Sequence, residues 1–280
     1  MTARAETATV IRPAGSAWSN LALHLRELAD YRDLLRTLSV HRISVRYRQT
    51  VLGIVWAVLQ PLLMMLIFVG VFSYLARIPS EGSPYALFAY TALLPWTYFS
   101  TAVTNATGSL VNHTQLITKV YFPREILPIT YVIASLFDFL LGMVALIGLM
   151  FWYHVPVTPA VVYLAPVVVV LTGWILAVAL LCSAAQVRWR DIGVAMPLIV
   201  QVVMFASPVI YPLGLVPAAW RPWYLLNPIA GIVNSFRDVL LRGVQPDPVP
   251  LIYAVIVTAC TLPLAYGIFK RAEATMADVV

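Results

Sequence analysis

The chain has 280 residues, of which 61% are hydrophobic and only 11% are charged, with a formal net charge of +6. Soluble proteins carry about 25% charged residues, and the mean hydropathy of +0.86 is too high for a chain that folds in water. These values exclude a soluble protein. The sequence also contains no cluster of cysteine and histidine at the spacing of a zinc site, so we expect no metal or cofactor to be bound.

The N-terminal 50 residues are charged and lack the apolar core and cleavage site of a signal peptide. We therefore expect residues 1–29 to form a tail and residues 30–50 to form an amphipathic helix. The helical stripe at positions i, i+3, i+4 and i+7 begins at Tyr31 and ends at Leu38, with Asp30 as the predicted N-cap. Such a helix can lie in the membrane interface beside lipid phosphates; the alternative is that its arginines only set the topology.

Six long apolar segments follow, and a membrane-spanning helix needs roughly 20 apolar residues. The segments are too long and too apolar for the strands of a membrane barrel. Together they contain one charged residue, Asp138. The predicted spans cover residues 52–76, 85–111, 129–153, 161–185, 194–211 and 251–269.

The distribution of lysine and arginine predicts the orientation, because cytoplasmic loops are enriched in both. Fourteen of these residues lie before the first span, in the loops 112–128 and 186–193, and in the tail; four lie on the other side. We expect both termini, including the tail 271–280, in the cytoplasm. The four remaining arginines are then on the outer face.

The segment 212–245 is predicted to form short, re-entrant helices on the outer face. Asn227 and Pro228 have the pattern of an N-cap followed by the first helical residue, and Gly243 is the predicted stop. A seventh span is the alternative, but it would bury Arg237 with Asp238 and move the basic tail outside.

Two loops on the predicted cytoplasmic side carry distinct patterns. In the segment 112–122, one apolar stripe consists of Leu116, Ile117, Val120 and Tyr121, while Lys119 lies off the stripe. Lipid headgroups or a groove on a partner protein could cover that stripe, and the residues alone do not decide between them. In the loop 186–193, we expect Asp191 to pair locally with Arg188 or Arg190 and hold the loop in one shape.

Inside the predicted spans, Asp138 and the aromatic residues are the chemical clues. A carboxyl group at this depth is either functional or ties two helices together, and a single one cannot form a proton relay. Aromatic faces suit the C–H faces of sugar rings. We expect a subset of the aromatic residues to line a channel, the candidates being Trp56, Phe68, Phe72, Tyr98 and Phe99.

The sequence contains no motif for ATP hydrolysis by a P-loop. A P-loop needs a glycine-rich turn that ends in Gly-Lys-Ser/Thr, and neither of the two lysines, Lys119 and Lys270, has that context. An integral-membrane transferase usually needs paired carboxylates for a metal-bound diphosphate, and no two acidic residues lie within two positions of each other. We therefore expect a transport subunit rather than an enzyme.

Four segments, in order, resemble the permease subunits of ABC-2-type exporters, in the branch that exports O-antigen, capsule and teichoic acid. They are Arg46 through Gly53 with Trp56 and Gln60-Pro61, Lys119 through Glu125, Arg188 through Asp191, and Asn227-Pro228 with Phe236-Arg237 and Gly243.

The resemblance implies an all-α integral-membrane fold of the type V exporter kind, with six spans within residues 51–270 and the helix 30–50 as its interface helix. It implies a homodimer in a bacterial inner membrane, bound to two ATPase subunits that hold ATP and magnesium. The segment 112–122 would be the coupling helix, with Leu116, Ile117, Lys119, Val120, Tyr121 and Arg124 as ATPase-coupling residues.

The implied substrate is a polyprenyl-diphosphate-linked glycan, with no role for nucleic acid. Arg42, Arg46 and Arg48 would lie where the substrate enters, although Arg46 and Arg48 could equally anchor the chain to lipid phosphates. The alternative is a permease of the same fold for a small lipophilic compound.

Overall fold

A computed structural model describes residues 21–48 and 50–279 of the chain, and within these ranges it is helical without strands. The side chains of residues 21–25, 274, 275 and 277–279 are not part of the description. The predicted tail 1–29 therefore lies mostly outside the described residues. The α-helices are α1 (Leu21–Asp30), α2 (Arg32–Arg48), α3 (Val55–Phe68), α4 (Tyr85–Thr107), α5 (Thr114–Lys119), α6 (Ile126–Trp152), α7 (Leu164–Arg188), α8 (Asp191–Phe205), α9 (Arg221–Leu225), α10 (Pro228–Leu240) and α11 (Pro248–Val279).

The described helices bury two hydrophobic clusters. The larger cluster is centred on α4, which packs against α3, α6, α7, α8 and α10 and buries most of its residues. The smaller cluster joins the turn after α4, the start of α6 and the ends of α7 and α11 with the α1–α2 segment. We call the end of the bundle that contains this smaller cluster the basic end, because Lys119, Arg124, Arg188 and Lys270 lie there.

The N-terminal amphipathic stripe packs against the rest of the chain, and its helix begins earlier than residue 30. Tyr31 and Leu38 pack against the smaller cluster, whereas Arg32 and Arg36 are exposed. Asp30 does not cap the start of a helix; it ends α1, and α2 begins two residues later. The stripe extends backward through Leu28, which packs in the same cluster, so the helical segment starts before residue 30.

Four segments of the described chain are long and apolar enough to cross a membrane: Val55–Leu75, Ile126–Trp152, Pro159–Arg188 and Pro248–Glu273. The other two predicted spans correspond to α4, with 23 residues, and α8, with 15. Helix α4 is less apolar because it faces other helices rather than lipid. Residues 271–279 of the predicted tail continue α11 instead of leaving the helix, and Met276 is buried in the smaller cluster.

The first predicted span differs at both ends from a regular helix. It starts at Val55 rather than residue 52, because the chain turns at Gly53, whose φ of +54° favours glycine. Its second half, Val69–Leu75, is a π-helix, a form that is rare and often found at functional sites.

Helix α10 has the predicted ends. The side chain of Asn227 accepts a hydrogen bond from the backbone N–H of Ile229 at 3.1 Å, and Pro228 is the first helical residue. Gly243, with φ of +64°, follows the last turn. The helix is buried along nearly its whole length against α4, α7 and α11.

Candidate functional site

An ion pair joins α2 to the middle of α6. The guanidinium of Arg46 donates to the carboxylate of Asp138, and the hydroxyl of Tyr47 donates to the same carboxylate. Burial, and then the bond to Asp138, raises the pKa of Tyr47. Of the two roles left open for Asp138, the geometry supports the one that ties two helices together.

A second arginine fixes α2 one turn earlier. The Nε of Arg42 donates to Thr130 Oγ1 at 3.1 Å, and its guanidinium lies 3.3 Å from the ring centroid of Tyr131. Burial lowers the pKa of Arg42, and the aromatic face offsets part of that desolvation. Arg42 and Arg46 are therefore engaged within the chain, whereas Arg48 is exposed.

The ion pair lies in the wall of a cavity of about 410 Å³ between α2, α3, α4 and α6. Its aromatic walls are Trp56, Tyr98 and Phe139. The polar groups of the wall come from all four helices and from the chain between α2 and α3; they are Arg46, Tyr47, Thr50, Gln60, Thr97, Thr101, Asn105, Ser135 and Asp138.

The five predicted channel aromatics do not form one surface in this chain. Trp56 and Tyr98 line the polar cavity. Phe68 is 5% exposed and packs edge-on against Phe72, with ring centroids 5.2 Å apart. Phe99 lines a separate, apolar cavity of about 350 Å³ between α4, α7 and α8. Phe68 and Phe72 pack in the larger hydrophobic cluster of this chain, Phe72 being only partly buried, and their place along a channel stays a prediction.

The predicted coupling segment has two faces rather than one stripe. Helix α5 ends at Lys119, and Val120 is extended. Ile117 is 6% exposed and packs inward with Phe122, whereas Val120 and Tyr121 are 53% and 89% exposed. The prediction that Ile117 shares the outward surface was wrong. The chain turns back at Phe122, and the side chains of Ile117 and Phe122, on the two sides of Val120 and Tyr121, are both buried.

A buried ionic network follows this turn and was not predicted. The ammonium of Lys270 lies 2.8 Å from both Glu125 and Glu273, and the side chains of Glu125 and Lys270 are 0% and 7% exposed. Arg124 donates to the backbone carbonyl of Glu273 at 2.7 Å. The network joins the coupling segment to α11. Sequence showed only isolated charges, since the partners are about 145 positions apart.

The opposite end of the bundle is held by Arg237, which is 2% exposed. Its guanidinium donates to the carbonyl oxygens of Pro208, Val209 and Tyr211 and lies 3.6 Å from the ring centroid of Phe88. Burial lowers its pKa to about 9, so the group stays charged at neutral pH. Arg237 therefore ties α10 to the chain that leaves α8.

The loop between α7 and α8 does not contain the expected ion pair. Asp191 forms no salt bridge with any residue in the described ranges. It occupies the first turn of α8 instead, where a carboxylate is stabilised by the free N–H groups of the helix. Arg188 ends α7, and Arg190 precedes Asp191.

The fold and the site define a multi-pass membrane protein with a polar cavity between its helices and an exposed loop at its basic end. The chain belongs to the ABC-2 type transporter family, whose model matches residues 33–241. The match includes α2, the cavity, the coupling segment and α10.

Curated relatives cover nearly the whole chain. It is 31% identical to the O-antigen export system permease protein RfbA of Myxococcus xanthus, over 91% of this chain and 98% of the relative. It is 25% identical to a protein of that name from Klebsiella pneumoniae, over 89% and 95%. It is 24% identical to the polysialic acid transport protein KpsM of Escherichia coli, over 86% and 94%.

Proposed function

We propose that this chain is the membrane subunit of an ATP-driven exporter that moves a polyprenyl-diphosphate-linked polysaccharide, such as O-antigen, across a bacterial inner membrane. The observation that carries the proposal is the nearly end-to-end match to a relative named as an O-antigen export permease. A shared membrane domain alone would leave the substrate open. A match that also covers the interface helix and the α9–α10 segment favours the same transported class.

In this proposal the chain crosses the membrane six times, with α4 and α8 as the two crossings beyond the four long apolar segments. The basic end faces the cytoplasm, in keeping with the enrichment of cytoplasmic loops in lysine and arginine. Both termini lie on that side, and the helices α9 and α10 lie toward the outer face, with α10 partly re-entrant.

Two ATPase subunits supply the energy and hold ATP with magnesium. Val120 and Tyr121 support a docking surface at the basic end, because apolar side chains this exposed need a cover outside the chain. Glu125 and Lys270 then connect the docked segment to α11. Movement of the ATPase dimer would reach the spanning helices through these buried contacts.

A second copy of the chain completes the transport path. Helix α8 is buried along Met196, Val200 and Met204 and exposed along its other side, which includes Gln201. A side-chain amide within an otherwise apolar exposed face is better satisfied by another helix than by lipid tails. The homodimer is therefore part of the proposal.

The lipid-linked substrate would meet the chain near the end of α2. Of the three arginines predicted there, Arg48 is exposed and remains available for a lipid diphosphate. The polar cavity favours a hydroxyl-rich substrate over a small lipophilic compound. A lipophilic compound would leave the amide and hydroxyl groups of the cavity wall without hydrogen-bond partners.

Deletion of the gene in its own host tests this function. We expect loss of one surface polysaccharide, with the lipid-linked form accumulating inside the cell, and restoration of export by the wild-type chain. Surface glycan is measured with and without permeabilising the outer layers. Unchanged surface polysaccharide in the deletion strain, with no internal accumulation, would contradict the proposal.

A further inference from the structure

We propose that the polar cavity between α2, α3, α4 and α6 is a binding site for one neutral sugar unit of the exported glycan. The inference rests on the proposed function and adds a defined recognition site to it. It differs from a smooth aromatic path, because the observations that carry it are hydrogen-bonding groups without partners.

The first observation is Ser135. Ser135 is 1% exposed and belongs to the cavity wall, and its buried hydroxyl has no hydrogen-bond partner among the described residues. A buried hydroxyl is normally paired, and leaving one unpaired is unfavourable. The Oγ atom itself is shielded from the cavity, so a ligand reaches it only when the Ser135 side chain rotates toward the cavity.

The second observation is a polar stripe on α4. Thr97, Thr101 and Asn105 recur every four residues, so they lie on one helix face, and all three line the cavity. Their side chains hydrogen-bond to no other residue within the described ranges. A donor and acceptor set of this density inside a helical membrane bundle matches a polyhydroxyl ligand.

The charge of the cavity wall selects a neutral ligand over a phosphate. Arg46 and Asp138 are the charged groups of the wall, and they neutralise each other through their ion pair. An anion would have to compete with the Asp138 carboxylate for Arg46. A sugar hydroxyl can instead donate to that carboxylate or accept from the guanidinium while the pair stays closed.

Shape supports the same ligand. A cavity of about 410 Å³ lies at the low end of the range of ligand pockets, roughly 300–1,000 Å³, so it holds a small unit rather than a folded chain. Trp56 is 44% exposed at the cavity wall and presents an aromatic face. That face can stack on a sugar ring while the rest of the glycan extends away.

Two threonines on the same helix give a matched test. Thr101→Val removes a hydroxyl that faces the cavity and keeps the shape of the side chain; Thr104→Val makes the same change at a half-buried position outside the cavity wall. We expect Thr101→Val to lower the rate at which glycan reaches the surface about fivefold, as for one lost hydrogen bond. Thr104→Val should export at the wild-type rate.

Ser135→Ala separates binding from folding. Because the Ser135 hydroxyl has no described partner, its removal should leave the melting temperature of the purified permease unchanged or raised, while export falls. A lower melting temperature together with lower export would mean that the hydroxyl is structural, and it would overturn the assignment for Ser135.

Photocrosslinking tests for a glycan in the cavity even when the identity of the sugar is unknown. Trp56→p-benzoylphenylalanine places a reactive aromatic group at the cavity, and Tyr74→p-benzoylphenylalanine places it at the far, 78% exposed end of the first span. In exporting cells we expect a ladder of periodate-stained adducts at position 56 only. A single phosphate-labelled lipid adduct, or no adduct, would overturn the proposal.

The results distinguish a failure of the sugar site from a failure of the proposed function. If the wild-type chain restores export but Thr101→Val and Thr104→Val behave alike, the sugar site is wrong and the exporter stands. If the wild-type chain restores no export, the proposed function fails, and the sugar site that rests on it fails as well.

Discussion

At the residue scale, the contact between Arg46 and Asp138 links the interface helix to a spanning helix. Removing one partner of a buried ion pair typically costs about 3–5 kcal/mol, because the other charge is left uncompensated. The two side chains retain 30% and 21% exposure, so water moderates the effect here. The pair should behave as one unit and not as two independent charges.

We predict that Asp138→Asn lowers the stability of the purified permease by about 1–3 kcal/mol, measured by thermal unfolding in detergent. Arg46→Gln should have a similar effect. The double variant should be more stable than the sum of the single losses implies, because both charges are gone. Strictly additive losses would show that the two residues act separately.

Sequence identified Asp138 as a special residue but could not name its partner. The chain has one charged residue within its six apolar segments, which is why Asp138 stood out. Its partner lies 92 positions earlier, on a helix outside those segments. A separation of 145 positions likewise hid the pairing of Glu125 with Lys270, and no local pattern marks either pair.

At the element scale, the coupling segment separates inward anchors from outward contacts. Ile117 and Phe122 are buried, whereas Val120 and Tyr121 are exposed. Sequence predicted a short amphipathic helix here, and a short helix exists. Its periodicity failed after Lys119, because tertiary contacts of Phe122 override the helical spacing.

Val120→Asp should leave the permease folded but weaken its association with the ATPase and uncouple ATP hydrolysis from export. Ile117→Asp should instead lower the yield of folded permease, since it places a charge at a 6% exposed site. Co-purification with the ATPase and the melting temperature of the permease alone distinguish the two. A Val120→Asp variant with normal coupling would defeat the docking assignment.

Helices α10 and α11 approach each other closely at Gly231. A Cβ atom at Gly231 would lie 2.2 Å from the carbonyl oxygen of Pro250, whereas one at Gly148 on α6 would meet nothing within 4 Å. Overpacking of this kind costs typically about 1–3 kcal/mol.

Gly231→Ala should therefore lower the melting temperature of the permease and reduce export. Gly148→Ala makes the same chemical change in open space and should be neutral or slightly stabilising, because alanine is the better helix former. Equal melting temperatures for the two variants would contradict the described contact of α10 with α11.

At the scale of the whole molecule, composition predicted the membrane class and the basic residues predicted an orientation. The cap residues of α10 were also predictable, because N-cap and proline patterns act locally. The cavity was not, since its wall depends on how four separate helices pack together, which no local pattern encodes. Whether each predicted channel aromatic faces the core or the cavity depends on the rotation of its helix about the helix axis. A uniformly apolar segment does not encode that rotation.

In the proposed function, this chain moves a lipid-linked glycan only when a partner hydrolyses ATP. The most direct measurement uses inside-out vesicles that contain the permease, its ATPase subunit and the lipid-linked glycan. Transport is read as protection of the glycan from a membrane-impermeant oxidant of vicinal diols. We predict protection that requires ATP and both subunits together. Protection without ATP, or none with both subunits and ATP present, would contradict the account.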